Sequence, residues 1–126
     1  MNILLLEDNQ HRITFFRNGL KEHRLTVCGH AKQAKKAIRK QDFDIIFLDH
    51  DLRGQPEDPD SDNCGSEVAR FIVARDIPCE HIILHTENPI GREAMEDILL
   101  ARSQTIPYSK LKQIGLRDFL KTLSNE

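Results

Sequence analysis

Five short apolar runs alternate along the chain with five amphipathic stretches, and few architectures accommodate that order. Ile3, Leu4, Leu5 and Leu6 are apolar at every position rather than at every second one, as are Ile45, Ile46, Phe47 and Leu48. Runs of that kind suit strands buried on both faces. Residues 26–28 and 82–84 read as shorter strands, and residues 105–107 as an edge strand, where a proline is tolerated. Between them, Ile13, Phe16 and Leu20 fall on one helical stripe, with Gly19 weakening its end. Ala34, Ala37, Ile38 and Gln41 line one face of a lysine-rich helix whose wet face carries Lys32, Lys35, Lys36, Arg39 and Lys40. After a polar loop over 53–65, Ser66 is placed to cap a helix bearing Val68, Phe71 and Ile72. Asn88 and Pro89 form a cap and first-turn pair for a helix whose inner face continues through Ala94, Ile98 and Ala101. Leu116, Phe119, Leu120 and Leu123 make the last helix.

Strictly alternating strands and helices predict parallel strands joined by right-handed crossovers, with helices on both faces. The first, third and fourth runs are the most apolar, so they are expected at the centre. With 126 residues the chain fits one domain, 1–126, long enough to bury a core without staples. A hydrophobic share of 39% against 30% charged residues is an ordinary globular balance. The net charge of −2 argues against a nucleic-acid binder. Three widely spaced cysteines without a CxxC pair read as free thiols of a reducing compartment. No apolar run approaches the roughly 20 residues of a membrane span, so no membrane partner is expected and the cytoplasm is the expected location.

In such sheets ligands bind beyond the carboxyl ends of the strands. At those ends stand Glu7 and Asp8 after the first strand, Asp49-His50-Asp51 after the third, and His85-Thr86-Glu87-Asn88 after the fourth. Carboxylates crowded together repel one another unless a cation or a proton intervenes, which points to a hard-metal site or to raised pKa values. His50 and His85 follow adjacent strands among these acids, where imidazole can act as acid, base or metal ligand. The remaining histidines, His11, His23, His30 and His81, read as surface residues. Asn88 and the helix it starts would present backbone amides and the positive dipole end to phosphate oxygens. Asp58-Pro59-Asp60-Ser61-Asp62 imitates the start of an EF-hand loop but lacks its later glycine and glutamate, so it reads as a solvated loop beside the site.

Glu7-Asp8, Asp49 and Thr86 stand where response-regulator receiver domains carry an acidic pair, a phosphoacceptor aspartate and a hydroxyl residue. The resemblance covers the whole chain in element order. It implies a flavodoxin-like, CheY-like three-layer α/β/α fold with strand order 2-1-3-4-5, and a divalent metal, Mg2+ or Mn2+, held by Glu7, Asp8 and Asp49. The departure lies at the fifth strand. Receivers place a lysine followed by proline there, whereas this chain runs Ile106-Pro107-Tyr108-Ser109-Lys110-Leu111.

A narrower likeness is to the cyclic-phosphate processing receiver group. Leu48-Asp49-His50-Asp51-Leu52, then Gly65 ahead of Val68-Ala69-Arg70-Phe71, then His85-Thr86-Glu87-Asn88-Pro89 resemble its segments, with threonine for serine. That likeness implies metal-assisted binding or hydrolysis of a small cyclic phosphoester. His50, His85 and Asp49 would be catalytic, and Thr86, Asn88 and Asp51 would contact the ligand. On the hydrolytic reading the two imidazoles are expected to converge on one pocket. The rival readings are a receiver phosphorylated on Asp49 and read by a protein partner, and a pseudo-receiver that only binds a partner.

Overall fold

The computed structural model describes residues 1–124. The chain runs β1 (Asn2–Leu6), α1 (Gln10–Gly19), β2 (Arg24–Cys28), α2 (Ala31–Lys40), β3 (Ile45–Leu48), α3 (Gly65–Ala74), β4 (His81–Leu84), α4 (Pro89–Leu99), β5 (Ser103–Thr105), α5 (Tyr108–Ile114) and α6 (Leu116–Ser124). A 3₁₀ turn over Leu100–Arg102 links α4 to β5. The five strands form one parallel sheet in the order β2-β1-β3-β4-β5, as the receiver likeness implied. The three most apolar strands, β1, β3 and β4, are central, because only there does a strand have helices over both faces and neighbours on both edges.

Strand alternation divides the core in two. Leu4, Leu6, Ile46, Leu48, Ile82 and Leu84 face α2, α3 and α4. Ile3, Leu5, Ile45, Phe47 and Ile83 face α1, α5 and α6, where Phe16 and Phe119 complete the packing. Phe47 is fully buried and meets the Phe16 ring at 5.1 Å, nearly edge to face.

Two local expectations are corrected, and one helix is new. Ser66 is not the cap of α3: Cys64 holds that position, and Ser66 lies buried inside the first turn. The fifth strand ends at Thr105, two residues earlier than expected, so Ile106 and Pro107 lead into α5. That short helix over Tyr108–Ile114 lacks a long apolar stripe, with Leu111 its one buried residue. Asn88 does cap α4, accepting from the Ile90 amide at 3.0 Å, with Pro89 in the first helical turn.

Phe47→Ala should cost about 3–5 kcal/mol in denaturant melts, because it empties a large volume under a central strand. A loss below about 1 kcal/mol would contradict that placement.

Candidate functional site

The register of the central strands decides what meets at their carboxyl ends. Leu6 pairs with Leu48, and Leu48 with Leu84. The ladder continues one step further, with the Asp49 amide bonded to the Leu6 carbonyl and the His85 amide to the Leu48 carbonyl, both at 3.1 Å. Glu7, Asp49 and His85 therefore form one row across three strands. By the period-two rule they project to the side of Leu5, Phe47 and Ile83, toward α1. Each offers one possible ligand atom, and these atoms lie within 4.8 Å of one another.

Within the row Glu7 is fully buried and fully engaged. Its Oε1 accepts from His85 Nε2 at 3.0 Å, and its Oε2 from the amides of Asp8 and Asn9 at 3.1 and 3.2 Å. Burial alone would raise its pKa, but the hydrogen bond and charge of His85, helped by the Asn9 amide and Arg12, outweigh it and leave the carboxyl below its ordinary 4.5. The ring of His85 is fully buried, 5.1 Å from Phe16, and its Nδ1 has no hydrogen-bond partner among the described residues.

Asp49 is the opposite of Glu7: it is 5% exposed, and no other side chain among the described residues hydrogen-bonds its carboxylate. Burial, with the charge of Glu7 added and that of His85 opposing, pushes its pKa from 3.8 to about 6. Asp8 stands at the rim of the recess, its pKa raised by partial burial and then by Glu7. It is not among the three close-set ligand atoms. A buried carboxylate without a side-chain donor among the described residues, a second carboxylate and an imidazole at mutual ligand distance fit a divalent cation, and the oxygen-rich set suits Mg2+ or Mn2+.

The next row, Asp8, His50 and Thr86, follows the opposite parity, and His50 shows its consequence. The His50 ring lies under α3 and α4, with Nε2 bonded to Ser66 Oγ and Nδ1 to Asp51 Oδ1, both at 3.0 Å. Burial lowers its pKa, but contacts with Cys64 and Asp51 outweigh that and leave it raised. Any side chain larger than hydrogen at residue 91 would run into this ring, which is why glycine occupies that turn of α4. The expected convergence of the two imidazoles does not occur. His85 faces α1, His50 faces α3 and α4, both are fully buried, and neither lines the recess above the strands.

Asp51 is the hub of the β3–α3 loop. Its Oδ1 accepts from His50, from the Glu57 amide at 3.0 Å and from Asn88 Nδ2 at 3.3 Å. The Asn88 side chain is thus divided between Asp51 and the α4 cap. Thr86 Oγ1 accepts from the Asn88 amide at 3.1 Å. All three residues line the recess, a cavity of about 510 Å³ between the strand tips and the loop segment 53–56. The far part of that loop is clamped from α3, where Arg70 donates to the carbonyls of Pro59 and Ser61.

Sequence reading missed Arg12. It lies one turn into α1, with Nη1 3.8 Å from Glu7 Oε1 and its guanidinium 4.6 Å over the Tyr108 ring. The sequence signal was available: Asn9 caps α1, so residue 12 sits in the first turn, directly beyond the Glu7–Asp8 strand end.

A family model described as the cyclic-phosphate processing receiver domain matches residues 2–101. No curated protein matches the chain. Among solved structures, the chain is similar to the receiver domain of a sensor histidine kinase from Pseudomonas aeruginosa with a magnesium ion coordinated in its active-site cleft. The two share 25% identity at a TM-score of 0.63, over 90% of this chain and 92% of that one. It also resembles a phosphorylated cyanobacterial phytochrome response regulator (20% identity, TM-score 0.69, 98% of this chain and 93% of that one). A third likeness is a Thermotoga maritima response regulator in complex with Mg2+ and BeF (20% identity, TM-score 0.66, 98% and 99% covered).

Asp49 makes stability depend on pH in a defined direction. Its folded pKa is raised, so its protonated form favours folding, and that contribution is complete below the unfolded value and lost as pH rises through about 6. Without divalent cations, Asp49→Asn should stabilise the protein above about pH 6 by roughly 1–3 kcal/mol, and the gain should vanish toward about pH 4. Equal melting-temperature differences at both ends of that range would show that Asp49 is not a destabilised buried carboxylate.

Proposed function

The chain belongs to the cyclic-phosphate processing receiver family, and from that premise we propose that its sheet edge binds a divalent cation and, upon it, the phosphate of a small cyclic phosphoester. The observation that carries this reading is the buried row of Glu7, Asp49 and His85, with three ligand atoms within 4.8 Å beside a cavity of about 510 Å³. Cavities of a few hundred Å³ accept ligands larger than a bare phosphoryl group. Asp49 and Glu7 would hold the ion, with Asp8 at the rim. A bound cation polarises phosphoryl oxygens and neutralises charge that the carboxylates would otherwise repel. The magnesium in the cleft of the Pseudomonas aeruginosa receiver supports the choice of metal.

Binding is favoured over hydrolysis by paired histidines. A general acid and a general base must each come within hydrogen-bond reach of the same ligand. His50 spends both ring nitrogens on Ser66 and Asp51, and His85 spends Nε2 on Glu7, on the other face of the sheet. His85 acts here as a positioning residue that orients Glu7, and His50 as one that fixes Asp51 and the recess wall. Thr86 and Asn88 stand where a phosphate held on the ion would meet a hydroxyl and a helix start.

The signalling reading needs a stable phosphoryl group on Asp49. At the β5 end, where the likeness called for lysine, Ile106 donates its amide to the Leu84 carbonyl, and no lysine lines the recess among the described residues. Asp49 should therefore be a poor acceptor from small phosphodonors. Stoichiometric, long-lived phospho-Asp49 in intact-mass spectra would favour the signalling reading instead.

Calorimetric titration tests the metal directly. Mg2+ and Mn2+ should each give a binding heat, because both ions suit carboxylate oxygens. Asp49→Asn should abolish the binding heat, and Ser66→Ala, on the far face, should leave it in place. A titration unchanged by Asp49→Asn would remove that aspartate from the site.

A further inference from the structure

Arg12 is a charged group with unspent hydrogen-bonding capacity. Its side chain is only 25% exposed, its one ion pair stands at 3.8 Å, and its guanidinium donates no hydrogen bond among the described residues. A guanidinium carries five donors in a rigid planar fork, and leaving such donors partly desolvated is costly. The Tyr108 face, 4.6 Å away, holds its plane, and Tyr108 is itself anchored by its amide to the His85 carbonyl at 3.0 Å. The fork is thus fixed at the wall of the recess, next to the Glu7–Asp49 row. The other guanidinium of the recess is differently employed, since Arg53 is 59% exposed and bonded to Glu57 at 2.7 Å.

We propose that Arg12 is the residue that grips the ligand's phosphate, its fork closing on two phosphate oxygens on the side away from the metal. This rests on the phosphoester-binding reading given above. Five carboxylates and two guanidiniums line the recess, so an anion meets net repulsion until a divalent cation enters. Metal and phosphate therefore bind with positive coupling, and Arg12 supplies the directional part of that coupling because a planar fork matches two phosphate oxygens where an ammonium cannot. Its place on α1 lets it approach from the β1 side, opposite the β5 end where Ile106 offers no charge.

The experiment measures Mn2+ affinity by calorimetry with and without adenosine 2′,3′-cyclic phosphate, in the full chain and in Arg12→Gln and Arg12→Lys. In the native protein the cyclic phosphate should tighten Mn2+ binding about tenfold or more. Arg12→Gln should keep or slightly strengthen Mn2+ binding alone, since a neighbouring cation is gone, while the coupling falls to within about twofold of none. Arg12→Lys should retain a minor part of the coupling, and it serves as the test if the glutamine variant does not fold. Full coupling in both folded variants overturns the role of Arg12 and leaves the phosphoester reading standing. Tight Mn2+ binding without any coupling in the native protein overturns the phosphoester reading itself, and the role of Arg12 with it.

Discussion

In a parallel sheet the face on which a side chain emerges is fixed by the parity of its position, and at this sheet edge parity decides which polar residues share a volume. The in-register leucines Leu6, Leu48 and Leu84 set the phase. One step on, Glu7, Asp49 and His85 fall together toward α1; His50 belongs to the step after that and turns toward α3 and α4. A one-residue slip of β3 against β1 would bury His50 in the acid row and send Asp49 into the opposite core. The apolar runs therefore do more than hold the sheet together, since they aim the ionisable residues that follow them.

The two rows have different electrostatic fates. His50 lies in a closed polar network with Ser66, Asp51 and Asn88, and a satisfied network of that kind rigidifies what it joins. It ties the tip of β3 to the first turns of α3 and α4, and Gly65 and Gly91 allow the close approach: a side chain at 65 would meet the Asp49 carbonyl, and one at 91 the His50 ring. The α1 row is unbalanced by contrast. Glu7 has its donors, whereas among the described residues Asp49 has no side-chain donor and His85 Nδ1 no partner. An arrangement that costs stability when empty gains it when a cation arrives, which is how binding energy becomes linked to fold stability.

Much of this was legible from residues alone. Continuous apolar runs revealed the three central strands, and polar residues at their tips marked the edge that carries the site. Asn88 and Pro89 declared the start of α4 correctly, because local capping chemistry needs no tertiary context. Strand order came only through the receiver likeness, since alternation of elements does not fix which strands are neighbours. Cys64 in place of Ser66 at the α3 cap was not legible, because Ser66 forgoes the cap to bond His50, a residue distant in sequence. The split between His50 and His85 could have been found by counting parity from each strand end. Arg12 was passed over for another reason: it comes from a helix rather than a strand tip, and although the Asn9 cap places it in the first turn of α1, its packing on Tyr108 needs the tertiary fold.

The two imidazoles face opposite sides of the sheet, and only His85 stands in the row with the carboxylates proposed to hold the cation. Side-chain nitrogen NMR of histidine-labelled protein, titrated with diamagnetic Mg2+, observes both rings at once. The ring nitrogens of His85 should shift as the metal site fills, while those of His50 hold their positions and their hydrogen bonds to Ser66 and Asp51. Equal movement of both rings, or movement of His50 alone, would contradict that placement of the cation.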